Sequence, residues 1–381
     1  MILGIDASNI GGGGGVTHLK EILAYLPSQK KNKKVVVFAS QKVLNQLPED
    51  NVIKKITFPA FNKGLLRRLR FQLWGYDKHI KQNCDILFSI TGDYLGNFKP
   101  VVGMSRNMLL YERNIWREIK QPKEIIRFWL NYKKQKRCFR NASGIIFISQ
   151  YAREYVSKNL NLQNKQITVI HHGISPRFKG EVCEQLSIES YSVENPFKLL
   201  YVSTVHVYKH QWNVVEAIAR LRQKGYPVEL DLVGGIIFKP AGKKLEKTIQ
   251  ETDPQNKFIH NHGHCPYEEI DKFYKYSDGI IFASTCENMP NILIESMASG
   301  IPIASSNKQP MPEFLKENGF YFDAHKVDSI VEVLIEFLDS PQKREINAKN
   351  ALKEASKYSW ENTSSHTFEF LNFIYKNLQH V

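Results

Sequence analysis

Short apolar runs alternate with longer amphipathic stretches along the first 180 residues of the chain. Ile2 to Ile5, Lys34 to Phe38 and Asp85 to Ile90 are examples of these runs. Runs of this length predict strands buried on both faces, and the stretches between them predict helices. Strands that alternate with helices are typical of a parallel, doubly wound sheet. Further strands are predicted at Val52 to Phe58, Val101 to Met104, Gly144 to Ile148 and Ile167 to Ile170.

The same alternation begins again after an irregular polar stretch, Lys179 to Asn195. The pattern therefore predicts two α/β domains, 1–180 and 197–358, joined by a linker at 181–196. A final helix is predicted from Trp360 to Leu378. The strands predicted in the second domain are Lys198 to Ser203, Val228 to Val233, Lys257 to His260, Gly279 to Ala283, Ile303 to Ser305 and Gly319 to Phe322.

The most informative stretch is Ser284 to Pro302, STCENMPNILIESMASGIP. Pro290 suits a first helical position, and Gly300 suits the position that follows a helix. Glu287 lies before this predicted helix and Glu295 lies inside it. Because a helix N-terminus can dock an anion, carboxylates on either side of it are suited to hydroxyls attached to that anion. A nucleotide-sugar has hydroxyls at both ends and a diphosphate between them.

Two further features lie where predicted strands end. Lys209 lies between a strand and a helix start, where its ammonium can neutralise a diphosphate. Val233-Gly234-Gly235 ends a strand at the edge where open α/β sheets bind ligands. An ordinary surface lysine and a plain turn explain these two features equally well.

Five glycines, Gly11 to Gly15, separate the first strand from a helical stretch, Val16 to Leu26. Strand, glycine loop and helix form the layout of a turn that approaches a phosphate or a sugar. The run matches neither common nucleotide-binding glycine motif, so a flexible loop is the alternative. Asp6 and Asp93 lie near strand ends and are candidate bases.

His260 to Cys265, HNHGHC, has the residue types of a zinc site. Structural zinc sites usually pair two separated knuckles, and no distant partner is evident here. We interpret the stretch as a loop whose backbone faces a ligand, or as an ordinary loop, and we predict no metal site.

Composition and charge narrow the classes of function that fit this chain. The chain has 381 residues, of which 42% are hydrophobic and 24% charged, as in soluble proteins. No apolar run reaches the roughly 18 residues of a spanning helix, and the five cysteines have no paired spacing, so we expect a cytoplasmic protein. Residues 1–180 hold 31 Lys and Arg against 11 Asp and Glu. This half should therefore seek an anionic partner, such as a membrane, nucleic acid or phosphorylated substrate.

Phe61 to Trp74, FNKGLLRRLRFQLW, is the best membrane candidate. Leu65, Leu69 and Leu73 share a helical face flanked by arginines, and basic amphipathic helices can lie on anionic membranes. An ordinary helix with its leucines in the core is the alternative. A second basic and aromatic stretch, Ile125 to Arg140, we interpret mostly as a core helix with a solvated face.

With Lys209 and the Glu287-x7-Glu295 pair in place, the sequence resembles the family 4 glycosyltransferases, which are retaining enzymes of the GT-B fold. The resemblance covers nearly the whole chain and is strongest from Leu199 to Asp323, which includes the run ESMASGIPIAS. It implies two Rossmann-like domains that face a central cleft. It also implies that 359–381 packs back on the N-terminal domain.

The resemblance implies roles for individual residues. Glu295 would hold the ribose hydroxyls of a donor nucleotide, and Glu287 would contact the donor sugar. Lys209 would neutralise the leaving diphosphate, so Glu287 and Lys209 are the catalytic candidates. The remaining donor-site candidates are Gly13, Gly14 and Gly15 within Gly12 to Gly15, His264 beside the base, and the backbone of Asn288, Met289, Pro290, Asn291 and Ile292.

The sequence departs from the family where an arginine is usual. Thr204 occupies that position, so a positive charge on the diphosphate is missing or comes from another residue, with His206 and Arg106 as candidates. Arg106 and Asn107 also resemble a segment near the acceptor side in a surface-polysaccharide subgroup. A second departure, Ala324 in place of a proline, should have little consequence.

The resemblance thus implies a retaining, metal-independent hexosyl- or N-acetylhexosaminyltransferase without a cofactor. Its donor would be a UDP- or GDP-sugar. Its acceptor would be a lipid-linked or surface saccharide of lipopolysaccharide, O-antigen or capsule assembly, at the inner face of the cell membrane. We expect no nucleic acid partner. The alternative, favoured by Thr204, is a non-catalytic peripheral module that binds anionic lipid or nucleic acid through its basic half.

Overall fold

A computed structural model describes residues 1–26 and 34–378. The chain divides into two compact units. Unit 1 comprises Met1–Arg113, Lys120–Gly173 and Tyr358–Val381, and unit 2 comprises Asn114–Ile119 and Ile174–Lys357. In chain order the helices are α1 Gly14–Ala24, α2 Gln41–Leu44, α3 Leu65–Trp74, α4 Tyr76–Asn83, α5 Arg113–Ile119, α6 Pro122–Asn141, α7 Gln150–Leu160, α8 Gln211–Gln223, α9 Lys239–Thr252, α10 Ile270–Lys275, α11 Asn291–Ala298, α12 Met311–Leu315, α13 Val327–Asp339, α14 Pro341–Ala355 and α15 Trp360–Asn377.

Unit 1 is built on a parallel sheet with the strand order β3-β2-β1-β4-β5-β6-β7. Its inner strands are buried along their whole length, whereas β3 and β7 at the two edges are partly exposed. Strands covered on both faces need apolar residues on both, which explains the continuous apolar runs of the sequence. The strands are β1 Leu3–Asp6, β2 Val35–Phe38, β3 Ile53–Ile56, β4 Ile86–Ser89, β5 Val101–Ser105, β6 Gly144–Phe147 and β7 Gln166–Val169.

The C-terminal helix α15 completes unit 1 by packing on α1. The Ser364 hydroxyl donates to the carbonyl oxygens of Ile22, at 2.9 Å, and Tyr25, at 2.8 Å. The Trp360 ring stacks on two buried histidine rings, His18 at 5.7 Å and His172 at 5.5 Å between ring centroids. Residues 379–381 of the predicted segment 359–381 lie outside the described residues.

Unit 2 is built on a second parallel sheet, with the order β10-β9-β8-β11-β12-β13. The direction of winding reverses between β8 and β11, and open α/β sheets bind ligands in the crevice at such a reversal. The fold therefore brings the loop after β8 beside the loop after β11. The strands are β8 Phe197–Val202, β9 Val228–Val233, β10 Ile259–Gly263, β11 Gly279–Phe282, β12 Ile303–Ser306 and β13 Phe320–Phe322. The prediction of two Rossmann-like doubly wound domains is confirmed.

The segment predicted as the linker, 181–196, packs on unit 2 around one buried arginine. The Arg344 guanidinium donates to the carbonyl oxygens of Leu186, at 2.6 Å, and Phe337, at 2.7 Å, and to the amide oxygen of Gln185, at 3.1 Å. Because each of these bonds involves a charged donor, the segment is firmly attached to this unit.

The two basic helices of unit 1 differ from their sequence-based interpretation. On α3, Leu66 and Trp74 are exposed, whereas Leu69 and Leu73 of the predicted face are half-buried. The side chain of Leu65, the third residue of that face, lies outside the described part of the structure. On α6 the solvent-facing side is not simply polar, since Trp129 is 49% exposed. Within 1–26 and 34–378, no helix combines the length and apolar character needed to cross a bilayer.

Candidate functional site

Lys209 lies in the loop after β8, at the crevice of unit 2. A short 3₁₀ turn, Val207–Lys209, carries it, and the left-handed residue His210, with φ 50°, separates that turn from α8. The Tyr201 hydroxyl donates to the Lys209 carbonyl oxygen at 2.6 Å. These contacts hold the backbone of Lys209, which is only 6% exposed.

The Lys209 ammonium forms an ion pair with the Glu287 carboxylate from the loop after β11. Their side chains are 7% and 17% exposed. The Ser284 hydroxyl donates to the same carboxylate oxygen, Oε1, at 2.7 Å. The structure therefore brings together the two residues that the sequence proposed as catalytic. Burying two opposite charges is costly unless both are paired, so each holds the other in place.

The stretch from Asn288 to Ile292 leads into α11. Pro290 is the residue before the helix and not the first helical residue, because α11 begins at Asn291. Pro290 has no side chain able to cap this end, and no acidic residue lies in the first turn. Amides of a first helical turn have no acceptor within the helix, so this end can receive an anion. Asn288 and Met289 are buried, and Asn291 and Ile292 are half-buried.

Gly300 ends α11 as predicted, in the left-handed conformation with φ 74°. A Cβ at this position would lie 2.7 Å from the Glu181 carbonyl oxygen. Both the backbone conformation and the lack of space therefore require glycine.

Glu295 lies on α11 and is only 7% exposed. Burial raises the pKa of Glu295 to about 7, while a hydrogen bond from Tyr267 and the charge of Arg177 act in the opposite direction. The Tyr267 hydroxyl donates to Glu295 Oε1 at 2.7 Å, and the Arg177 guanidinium lies 5.4 Å from the centre of the Tyr267 ring. The carboxylate therefore changes charge near neutral pH.

Sequence reasoning missed Tyr267 and Arg177. Each follows a proline in an irregular stretch, and no spacing relates either residue to Glu295. Only the three-dimensional packing of the loop after β10 and the segment after Ile174 brings them together.

The ends of β8, β9 and β10 meet beside the Lys209 loop. The Gly234 amide donates to the Gly263 carbonyl at 2.7 Å, and a Cβ on Gly234 would lie 2.0 Å from the Ser203 carbonyl oxygen. Thr204 and His264 are exposed at this edge, and a Cβ on Gly235 would lie 3.3 Å from His264 Cβ. The predicted donor-site residues Thr204 and His264 thus lie at the same edge of the sheet.

His206 was one candidate to replace the charge missing at Thr204. Its ring stacks on Phe238 with 4.9 Å between centroids, and its Nδ1 accepts from the Val207 amide at 2.9 Å. A ring nitrogen that accepts a hydrogen bond carries no proton, so the contact favours a neutral ring.

The His260 to Cys265 stretch pairs with β9. His262 Nε2 lies 2.6 Å from Asp231, and His260 Nε2 lies 3.4 Å from Glu229. No group of three His, Cys, Asp or Glu able to hold a metal ion occurs in the part of the chain that the structure describes.

In unit 1, Arg106 lies against the glycine loop. Its Nη2 donates to the Gly14 carbonyl at 2.7 Å, and burial lowers the pKa of Arg106 to about 10. Gly13 has φ 60°, and Cβ atoms at Gly11, Gly12 and Gly13 would face open space. Two features that the sequence suggested separately, this loop and Arg106, are therefore neighbours.

Asn107 has a structural contact. Its side chain is exposed, and its Oδ1 accepts from the Leu109 amide at 3.0 Å, which caps the short turn Met108–Leu110.

The candidate bases Asp6 and Asp93 lie near the ends of β1 and β4. Burial, followed by the charge of Asp93, raises the pKa of Asp6 to about 6. Asp93 accepts from Asn9 Nδ2 at 2.8 Å and from the Thr91 hydroxyl at 2.5 Å. The two carboxylates therefore belong to one polar cluster in unit 1.

Both halves of the chain match models of glycosyltransferase families. Residues 12–178 match "Glycosyltransferase Family 4", and residues 184–354 match "Glycosyl transferases group 1". The crystal structure of HepE from Anabaena in complex with UDP superposes with a TM-score of 0.69 at 19% identity, over 97% of this chain and 99% of that one.

The chain has the GT-B fold, and each of its halves matches a glycosyltransferase family.

Curated relatives of this chain are distant. The O-antigen chain mannosyltransferase B of Escherichia coli is 23% identical over 253 residues, which are 65% of this chain and 64% of that protein. The lipopolysaccharide 1,2-N-acetylglucosaminetransferase of Salmonella typhimurium is 24% identical over 59% of this chain and 60% of that protein. The chain thus spans somewhat less than two thirds of the length of these relatives.

Proposed function

We propose that this protein is a retaining glycosyltransferase that moves a sugar from a nucleoside-diphosphate donor to a lipid-linked or surface saccharide. The observation that carries the proposal is the buried Lys209–Glu287 pair at the β8–β11 crevice. A lysine for a diphosphate, a carboxylate for sugar hydroxyls and a helix N-terminus lie at one edge of one sheet. A second buried carboxylate, Glu295, lies on the same helix.

Donor binding would redistribute the contacts of the buried pair. The Lys209 ammonium would pair with the diphosphate. Glu287 would then accept hydrogen bonds from the sugar hydroxyls in place of its ion pair with Lys209. Both charges would then remain paired, which avoids the large cost of an unpaired buried charge. Glu295 would accept hydrogen bonds from the ribose hydroxyls in its ionised form.

The main charge that this reaction must stabilise is the negative charge on the leaving nucleoside diphosphate. As the glycosidic C–O bond breaks, negative charge grows on the phosphate oxygen, where Lys209 and the α11 N-terminus stabilise it. The acceptor oxygen bonds to the anomeric carbon on the face from which the diphosphate leaves. Its proton passes to the departing phosphate oxygen, so the balance needs neither a metal ion nor a cofactor.

The comparisons support a choice of donors. HepE is a UDP complex, which favours a UDP-sugar, and a GDP-sugar is the second candidate. One relative is named as a mannosyltransferase and the other as an N-acetylglucosaminetransferase, so both hexose and N-acetylhexosamine remain in the proposal. Both names belong to O-antigen or lipopolysaccharide assembly, which supports a saccharide acceptor of that class.

We further propose that the protein works on an anionic membrane at the inner face of the cell. Phe61 to Trp74 carries three arginines and no acidic residue, and it exposes Leu66 and Trp74. A lipid-linked acceptor would be reached from such a surface.

A donor screen and two single variants test the assignment. We expect one of the UDP-, GDP- or dTDP-sugars to raise the melting temperature by mass action. Lys209→Ala should lower sugar transfer at least about a hundredfold, since a group that stabilises developing charge contributes factors of this size. Glu295→Ala should lower donor affinity and, with it, transfer, because it removes the acceptor of the ribose hydroxyls. Lys247→Ala, which removes one partner of an exposed pair with Glu251, is the matched control and should leave transfer unchanged.

Lys209→Ala leaves Glu287 buried and unpaired, so a loss of folding must be separated from a loss of chemistry. In the double variant Lys209→Met/Glu287→Gln no charge is left unpaired, and it should regain thermal stability without regaining transfer. Normal transfer by Lys209→Ala or by the double variant contradicts the proposed roles. Strong binding to vesicles or oligonucleotides without donor binding by any variant would favour the non-catalytic module.

A further inference from the structure

The solvent-facing side of α6 in unit 1 carries a row of large apolar side chains. Ile126 is 57% exposed, Trp129 49% and Leu130 43%. Residues three and four apart lie on one helical face, so these three side chains form a single patch. The opposite side of α6 is anchored in the core of unit 1 by Phe128, Gln135, Cys138 and Phe139.

Positive charge surrounds this patch. Lys123 and Lys133 are exposed on the same helical face, one at each end of the apolar row. The Lys133 ammonium lies 5.2 Å from the centre of the Trp129 ring. Between Pro122 and Asn141 the helix has seven Lys and Arg residues and one acidic residue, Glu124. That acid is already paired with Arg127 at 2.5 Å.

Helix α3 belongs to the same unit and is also basic. Leu66 on α3 is 82% exposed and Trp74 is 78% exposed. Unit 1 thus exposes two tryptophans and three aliphatic side chains on two basic helices.

We propose that α6 is a membrane-docking helix, whose Ile126, Trp129 and Leu130 enter the headgroup region of an anionic bilayer while the surrounding lysines and arginines bind lipid phosphates. The proposal rests on the proposed function in one respect, the lipid-linked acceptor that makes a membrane useful to the enzyme. It extends the predicted contact at Phe61 to Trp74 to a second helix.

The chemistry of the patch favours a bilayer over a protein partner. Tryptophan is enriched at the membrane–water boundary, where an apolar ring and a polar N–H are both satisfied. Lysine is depleted in the cores of protein interfaces, but each basic residue close to an anionic membrane contributes about 1 kcal/mol. A helix of 20 residues extends about 30 Å, so α6 offers a long contact parallel to the surface.

Vesicle sedimentation of the full-length protein tests the proposal. Vesicles of phosphatidylglycerol and phosphatidylcholine should bind the wild type, whereas pure phosphatidylcholine vesicles should bind it at least about tenfold more weakly. Trp129→Ser/Leu130→Ser should lower binding to the anionic vesicles by at least about tenfold, because it removes two of the three inserting side chains. Tyr276→Ser/Ile346→Ser is the matched control, because it removes two exposed apolar side chains of unit 2, 77% and 58% exposed, and should leave binding unchanged.

A second pair of variants separates charge from insertion. Lys123→Glu/Lys133→Glu should abolish the preference for anionic vesicles, and its effect should shrink as salt is raised. Melting temperatures within about a degree or two of wild type would show that surface changes have not unfolded the protein.

Each outcome supports or overturns the proposal. Unchanged vesicle binding by Trp129→Ser/Leu130→Ser overturns it, and so does equal binding of the wild type to neutral vesicles. A wild-type dimer that the same variant converts to a monomer, with no vesicle binding, would assign the patch to a second copy of the chain. Donor hydrolysis in detergent-free buffer is measured in parallel. Its absence from wild type would count against the proposed enzyme, while the vesicle result would still stand.

Discussion

In the proposed donor site, Glu295 has opposite effects on folding stability and on donor affinity as pH changes. Burial raises its pKa from 4.5 to about 7. Between these pH values the folded protein holds a proton that the unfolded chain has released, so folding stability falls as pH rises through this window, by roughly 3 kcal/mol in total. In the proposed function, the ionised form of Glu295 accepts hydrogen bonds from the ribose of the donor. Donor affinity should therefore rise with pH, by about tenfold per unit below pH 7.

The variant Glu295→Gln isolates this effect from other titrating groups. It should bind the donor weakly at every pH, and its stability should not share the decline of the wild type between pH 4.5 and 7. Isothermal titration with the donor nucleotide and urea unfolding, both at several pH values, measure the two trends. Parallel pH profiles for wild type and variant would mean that Glu295 does not titrate in this range.

Individual residues of the site were predictable where spacing carries the information. Glu287 and Glu295 stand at a fixed separation around a helix start, so the local pattern indicates both. Tyr267 contacts Glu295 only because the loop after β10 folds over α11, and Arg177 reaches that tyrosine from a distant segment. The spacing of residues along the sequence does not indicate contacts between such distant segments.

At the scale of elements, Gly300 shows how one residue sets the end of α11. Gly300→Ala should destabilise the protein by about 1–3 kcal/mol, because its φ of 74° disfavours a side chain and the added Cβ would meet the Glu181 carbonyl. Gly225→Ala is the matched control, since Gly225 has φ 91° with open space around it. It should cost only about 1 kcal/mol. Urea unfolding compares the two, and equal losses would mean that the clash at Gly300 relaxes freely.

The presence and order of the strands followed from the sequence, but the environment of each helix face did not. Buried parallel strands need apolar residues on both faces, which leaves continuous runs that are easy to recognise. Helix α6 has apolar residues on more than one side. The sequence pattern alone does not indicate which of these residues are buried against other elements. Burial of Phe128 and exposure of Trp129 became visible only in the folded unit.

At the scale of the whole molecule, α15 makes unit 1 depend on the last part of the chain. Trp360→Ala should lower the stability of unit 1 by about 3–5 kcal/mol, because the ring is 5% exposed and stacks on His18 and His172. Hydrogen exchange should accelerate in β1 and β4 but not in β8 and β11. Phe373→Ala, which removes a ring that is 46% exposed on the same helix, should have little effect. Equal loss of protection in both sheets would contradict two separately packed units.

The two-unit architecture was predictable because the strand–helix alternation restarts after a polar stretch. The attachment of that stretch was not, since the buried Arg344 that binds Gln185 and Leu186 lies far along the chain. The association of the linker with unit 2 therefore depends on a long-range contact that no local pattern reports.

The position of α15 also sets the order in which the protein can fold during its synthesis. A ribosome delivers residues 174–357, nearly all of unit 2, before it delivers the helix that unit 1 requires. At 5–20 residues per second, about 200 residues take roughly 10–40 s. For that time the surface of α1 that later contacts α15 stays uncovered on the nascent chain. The unit whose sheet is translated first is therefore the last to be completed. Chaperones can bind its exposed surface during this interval.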